Sequence, residues 1–162
     1  MRLQGKTAIV TGAASGFGAG ISRKFAAEGA KVMVADLNLE GAQVIAAEIG
    51  GVAQLCNVAD PGSVLAMKNS VLNEFGHLDI LVNNAGGGGF GNLDQLTIEE
   101  WRKIMALNMD SVFLGCKATS KLLQADGGGS IINISSTNAN RAWPMFSGYC
   151  AAKAGMTMFS NC

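Results

Sequence analysis

Residues 6–29 read KTAIVTGAASGFGAGISRKFAAEG, and the rest of the chain is best read outward from them. A β-favouring run from Lys6 to Thr11 leads directly into the glycine-rich segment TGAASGFG, and helical sequence follows from Ala19 to Glu28, with Gly29 as its stop. Glycines at 12, 16 and 18 permit a sharp strand-to-helix turn and a close approach of backbone to a ligand. The negative charge of that ligand then meets free N–H groups and the positive end of a helix. The spacing is Gly-x-x-x-Gly-x-Gly rather than the commoner Gly-x-Gly-x-x-Gly, and a glycine loop alone is as readily a tight turn. Here three conditions coincide: a strand before, a helix after, and an acid, Asp36, ending the next strand eighteen residues past Gly18. Together they predict that Gly12, Ser15, Gly16, Phe17 and Gly18 cradle the pyrophosphate of a dinucleotide.

Asp36 also bears on which dinucleotide is bound. A carboxylate at that point accepts hydrogen bonds from the adenosine ribose hydroxyls and repels a 2'-phosphate. Neither Leu37, which follows it, nor Ser15, which precedes Gly16, supplies a cation for such a phosphate. The expected cofactor is NAD rather than NADP.

Further along, short β-rich runs near 6–11, 31–36, 52–57, 78–83 and 130–135 alternate with helical patterns. Such alternation predicts an α/β fold with a doubly wound parallel sheet, the Rossmann arrangement, in a single domain over 1–162. Asp60 and Pro61 open a helix whose apolar stripe is Val64, Met67, Val71 and Phe75. Thr97 and Glu100 form a capping box. The stripe Ile98, Trp101, Met105, Val112, Ala118 then predicts one long helix to about Gln124, stopped by Asp126 and three glycines.

Composition excludes several classes of function. Charged residues make up 15% of the 162-residue chain and its formal net charge is zero, so nothing attracts nucleic acid. The longest apolar runs, such as AIV at 8–10 and DILV at 79–82, are far shorter than a membrane span. The N-terminus, MRLQGKTAIVTG, passes from a polar lead into a strand without the apolar core of a signal peptide, which places the protein in the cytoplasm. Cys56, Cys116, Cys150 and Cys162 form no CxxC pair, and His77 is the sole histidine. Reduced thiols and no metal are expected. Cys150 reads as a buried structural thiol and His77 as an exposed turn residue.

The chemistry is expected near the other end of the chain. The single tyrosine, Tyr149, is followed by Lys153 in YCAAKAGM, a helix-favouring stretch entered from loop at 144–148. At that spacing the phenol and the ammonium share a helix face. A cation beside a phenol favours the phenolate and makes tyrosine a usable acid and base near neutrality. Ser135 and Ser136 end the fifth predicted strand, where carboxyl ends of strands open into the crevice. Neighbouring strand residues face opposite sides, so only one can point at a substrate.

With TGAASGFG, Asn83-Asn84-Ala85-Gly86, Asn108, Ser136, and Tyr149 with Lys153 all in order, the chain resembles the classical short-chain dehydrogenase/reductases over essentially its whole length. The resemblance implies that Tyr149 is the general acid or base, and that Lys153 binds the nicotinamide ribose and tunes the tyrosine. Ser136 hydrogen-bonds the reacting oxygen, Asn108 holds a water of the proton relay, and Asn84, Ala85 and Gly86 back the adenosine side. Asn57 and Val58 stand where relatives carry aspartate and valine against the adenine. Ala139 replaces a glycine that is common there. The implied reaction is interconversion of a secondary alcohol and a ketone with NAD; a non-catalytic NAD-binding module, an inactive fragment of a longer dehydrogenase and a 3-oxoacyl thioester reductase are the alternatives.

By the same resemblance, relatives continue past the tyrosine helix through further strands and a substrate-covering segment. The chain therefore reads as C-terminally incomplete, with its fifth strand an open edge. The loop 140–147, with Arg141, Trp143, Met145 and Phe146, borders a mostly apolar mouth opposite Phe90. Pairing through the long helix and the tyrosine helix implies a homodimer or homotetramer. The partner is a small-molecule alcohol or carbonyl substrate.

Overall fold

The computed structural model describes residues 1–125 and 127–162; the helix stop expected at Asp126 lies outside them. Five strands, Thr7–Thr11 (β1), Lys31–Asp36 (β2), Val52–Leu55 (β3), Ile80–Asn83 (β4) and Ser130–Asn133 (β5), form one sheet. Every pairing is parallel, in the order β3-β2-β1-β4-β5. The helices are Gly16–Ala27 (α1), Leu39–Ile49 (α2), Pro61–Phe75 (α3), Ile98–Met105 (α4), Ser111–Ala125 (α5) and Ser147–Phe159 (α6). The chain builds outward from β1 to β3, then crosses back to place β4 on the other side of β1. That reversal opens a crevice at the carboxyl ends of β1 and β4.

β1 is buried along its whole length, as expected of a central parallel strand covered on both faces. Alternate residues divide between two cores. Ala8, Val10, Val32 and Val34 pack with Ala19, Ala42 and Ile45 of α1 and α2. Ile9, Met33 and Leu81 pack with Met67, Val71 and Leu123 of α3 and α5. The β1–β4 register is fixed at its lower end by Asp79, whose Oδ2 accepts from the Thr7 amide at 2.8 Å and whose Oδ1 accepts from Lys6 Nζ at 2.8 Å. His77 belongs to the same join. Its carbonyl accepts from Thr7 Oγ1, and its Nε2 lies 3.2 Å from Asp79, so it is half-buried rather than the exposed turn residue expected.

α3 starts and packs as its sequence predicts: Asp60 accepts from the Ser63 amide, Pro61 takes the first turn, and Val64, Met67 and Val71 are buried. The segment from Ile98 departs from expectation. The Thr97–Glu100 capping box is present, but a π-helical turn, Ala106–Asp110, separates α4 from α5. The buried face is Ile104, Asn108, Ser111, Val112, Gly115, Thr119 and Leu123, sharing only Val112 with the expected apolar stripe. The polar members are accommodated because Ser111 and Thr119 donate to the carbonyls four residues back, Leu107 and Gly115.

β5 forms one edge of the sheet and β3 the other. Ile131 is 39% and Ile132 40% exposed on opposite faces. No helix in the described residues is long and apolar enough to cross a membrane.

Candidate active site

At the carboxyl ends of the strands, two adjoining hollows share Gly12, Ser15 and Gly86. One, of about 270 Å3, reaches toward Asp36, Leu37, Asn57 and Val58. The other, of about 440 Å3, reaches toward Ser136, Tyr149 and Lys153. Residues drawn from both ends of the sequence thus line one continuous groove.

The glycine loop is shaped by close approach. Gly12 has φ +63°, and a Cβ there would lie 2.8 Å from Ala85 Cα. A Cβ on Gly18 would run into the Gly12 carbonyl and come within 2.6 Å of Asn84 Nδ2. Asn84 ties the loop to β4 by donating to the Thr11 and Gly12 carbonyls at 2.8 and 3.1 Å. Thr11 Oγ1 accepts from the Asn84 and Ala85 amides, both at 3.1 Å. Ser15 precedes α1 without making a side-chain cap, so the first-turn N–H groups of α1 have no side-chain acceptor and are available to an anion. Gly16 has φ +54° and open space where a Cβ would be. These features fit a dinucleotide pyrophosphate.

Asp36 does more than face the groove. Its Oδ2 accepts from the Ala14 amide and its Oδ1 from the Asn38 amide, each at 2.9 Å. Each carboxylate oxygen keeps one acceptor site for a ribose hydroxyl. Asn57 Oδ1 accepts from the Ala59 amide at 3.1 Å, which leaves it a single acceptor site toward the hollow.

On the other side, Tyr149 lies in the first turn of α6 and Lys153 one turn on, as the spacing predicts. Lys153 is buried, and its Nζ lies 5.8 Å from the Tyr149 ring centroid and donates to the Ile134 carbonyl at 2.8 Å. Burial pushes this ammonium below the ordinary lysine value. Asn108 is fully buried in the π-helical turn. It donates to the Gly87 and Ile104 carbonyls and accepts from the Gly87 amide, so Oδ1 retains one acceptor site for a water.

The whole arrangement has known counterparts. The family model described as short chain dehydrogenase matches residues 6–162. The chain belongs to the short-chain dehydrogenase family. This family member is 42% identical over 165 residues to D-threitol dehydrogenase of Mycolicibacterium smegmatis, a match covering 99% of the chain and 64% of that relative. It is 37% identical over 159 residues to sorbitol dehydrogenase of Cereibacter sphaeroides, covering 96% of the chain and 62% of the relative. A solved short-chain dehydrogenase/reductase from Burkholderia xenovorans superposes with a TM-score of 0.90 at 37% identity, over 98% of this chain and 64% of that one. The chain therefore spans a little under two thirds of the length of these relatives.

In this short-chain dehydrogenase family member the two adjacent serines are separated by their hydrogen bonds. Ser135 Oγ lies 2.7 Å from Thr157 Oγ1 on α6. Ser136 Oγ accepts from the Asn138 amide at 3.1 Å, at the start of the 3-10 turn Thr137–Ala139, and so keeps its proton to donate. Cys150, read as a buried thiol, is half-buried and 3.6 Å from Asn138 Nδ2. Two contributors escaped the sequence reading, and a third was given only part of its role. Thr11 looked like an ordinary strand residue, and the Ile134 carbonyl carries no side-chain signal. Phe146, taken as a mouth residue, also packs edge-on against Tyr149, with centroids 6.3 Å apart. Only its helical offset from Tyr149 pointed there.

Proposed function

We propose that the chain carries the cofactor site and proton relay of an NAD-dependent oxidoreductase that interconverts a secondary alcohol and a ketone. The observation that carries this reading is the single groove in which the Gly12–Gly18 loop, Ser136, Tyr149 and Lys153 meet. Its adenosine end, at Asp36, bears an acid and no cation among the residues lining it, which favours NAD over NADP.

Bound NAD supplies the hydride acceptor for oxidation and, once reduced, the donor for the reverse reaction. The protein's own groups handle the oxygen. Ser136 donates its hydroxyl proton to the reacting oxygen and stabilises charge that develops there. Tyr149 takes the alcohol proton in oxidation and returns it in reduction. Lys153 stabilises negative charge on the phenol oxygen and offers its remaining N–H groups to the nicotinamide ribose. Asn108 holds Gly87, and with it the groove wall at Gly86, in place beside Lys153. Its free acceptor site holds a relay water.

The relatives, named as threitol, sorbitol and hydroxysteroid dehydrogenases, favour a small-molecule alcohol as substrate. Phe113 on α5 packs edge-on against Phe159 of α6, and Phe113 and Met158 are exposed on these two helices. Such a face supports pairing into a homodimer or homotetramer. Four free thiols suit the cytoplasm.

The test is oxidation of a panel of secondary alcohols with NAD, followed by NADH absorbance, in the parent and in Tyr149→Phe. Turnover is expected in the parent and lost in the variant, with NADH binding retained. Turnover that survives in Tyr149→Phe removes Tyr149 from the chemistry.

A further inference from the structure

Three consecutive residues leaving β5 reach one face of α6. Asn133 Nδ2 donates to Ser160 Oγ at 2.8 Å. The Ile134 carbonyl accepts from Lys153 Nζ at 2.8 Å. Ser135 Oγ lies 2.7 Å from Thr157 Oγ1, which itself donates to the Lys153 carbonyl at 2.9 Å. Positions 153, 157 and 160 are one helical stripe.

The direction of the Ser135–Thr157 bond follows from counting protons. A threonine hydroxyl has one. A carbonyl can only accept, so that proton goes to Lys153, and Ser135 must be the donor to Thr157. A closed ring of hydrogen bonds results. It runs from the Ile134 carbonyl along the Lys153 side chain to the Lys153 carbonyl, through the Thr157 and Ser135 hydroxyls, and back across one peptide unit. Lys153 is thereby held at both its ammonium and its backbone.

Ala152 and Met156 anchor α6 by apolar burial, but not against the strand end. α6 lies chiefly on the 3-10 turn, the π-helical turn and α4 rather than on β5. The polar ties are what fix its register along the strand end. A flexible four-carbon lysine stem would otherwise allow its ammonium several positions.

We infer that Thr157, acting through Ser135, is a positioning residue that sets where the Lys153 ammonium stands relative to Tyr149. Its consequence for turnover rests on the reading that Lys153 serves the proton relay. It also explains why Ser136, and not its neighbour, is free to serve a substrate: the Ser135 proton is already engaged.

The test compares Thr157→Val, which keeps the shape and removes the hydroxyl, with Thr157→Ser, which keeps the hydroxyl. In the ligand-free chain the 15N resonance of Lys153 Nζ is expected to move in Thr157→Val, and to return to its parent position in Thr157→Ser. Under turnover, Thr157→Val is expected to lower kcat by about tenfold through misplacement of a catalytic group. KM for NAD should rise less than kcat falls, by about threefold at most, since Lys153 is one of several groups that hold the cofactor, and Thr157→Ser should recover kcat. An unmoved Nζ resonance in Thr157→Val overturns the inference. If Thr157→Val does not fold, Ser135→Ala breaks the same bond from an exposed position and is read in the same way. If no form of the chain turns over, the relay reading fails, while the Nζ resonance still decides whether Thr157 positions Lys153.

Discussion

Asn108 and Gly87 exchange two hydrogen bonds: Oδ1 accepts from the Gly87 amide at 3.1 Å and Nδ2 donates to the Gly87 carbonyl at 2.9 Å. A buried side chain thus imitates a strand partner and holds the loop after β4 against the π-helical turn. A Cβ on the preceding residue, Gly86, would lie 2.9 Å from Asn108 Oδ1 and 3.4 Å from Lys153 Nζ, so the groove wall passes close to both side chains only because this residue is glycine. Asn108→Ala is expected to lower stability by about 2–4 kcal/mol, because two backbone groups of Gly87 lose their partner. Urea unfolding with an unchanged m-value and a lower midpoint is the check.

The glycines of the first loop and helix separate by the space around them. Gly18→Ala places its Cβ against the Gly12 carbonyl and should cost at least about 2 kcal/mol through forced backbone movement, with weaker NADH binding. Gly20 lies exposed in α1, and a Cβ there would meet nothing within 4 Å. Gly20→Ala should raise stability by about 0.5–1 kcal/mol through lower unfolded-chain entropy. Thermal unfolding of the two variants reads both signs.

The sheet and its crevice were legible because their signals are local. The short β-rich runs around Ile9, Val10, Met33 and Val34, the glycine loop and the Asp60–Pro61 start each depend on neighbouring residues in the chain. The π-helical turn at Ala106–Asp110 was not legible. It buries Asn108, and α5 after it buries Ser111 and Thr119, polar residues that satisfy themselves on nearby carbonyls and leave no apolar period to read. In the site, Tyr149, Lys153 and Asp36 could be placed from spacing and strand ends. Of the parts that hold Lys153, the Ile134 carbonyl comes from a distant segment, and Thr157, one turn on in the same helix, has nothing in sequence to single it out.

Asp36 accepts two backbone N–H groups while facing the groove, so Asp36→Ala should act in two ways. NADH affinity should fall and NADPH should be relatively favoured, as the repulsion of a 2'-phosphate disappears. Stability should fall by about 1–3 kcal/mol, as the Ala14 and Asn38 amides lose a charged acceptor. An unchanged ratio of NADH to NADPH affinity would remove Asp36 from the ribose.

Glu28 gives a pH signature independent of the groove. Hydrogen bonds from the Arg2 amide and guanidinium and from Lys24 hold its carboxyl down at about 2, from an ordinary value of 4.5. Its folded value is lower than its unfolded one, so its contribution to stability is fully present above about 4.5 and drains away as pH falls toward about 2. Glu28→Gln should therefore show a shallower loss of Tm across that window than the parent. Glu48, Glu100 and Asp79, also held low, preserve part of the slope.

The most direct measurement is a calorimetric titration of the 162-residue chain with NADH, with NADPH run alongside. Micromolar binding that favours NADH is the expected result, with the groove from Asp36 to Lys153 holding the cofactor. Absence of binding, or a preference for NADPH, would contradict it.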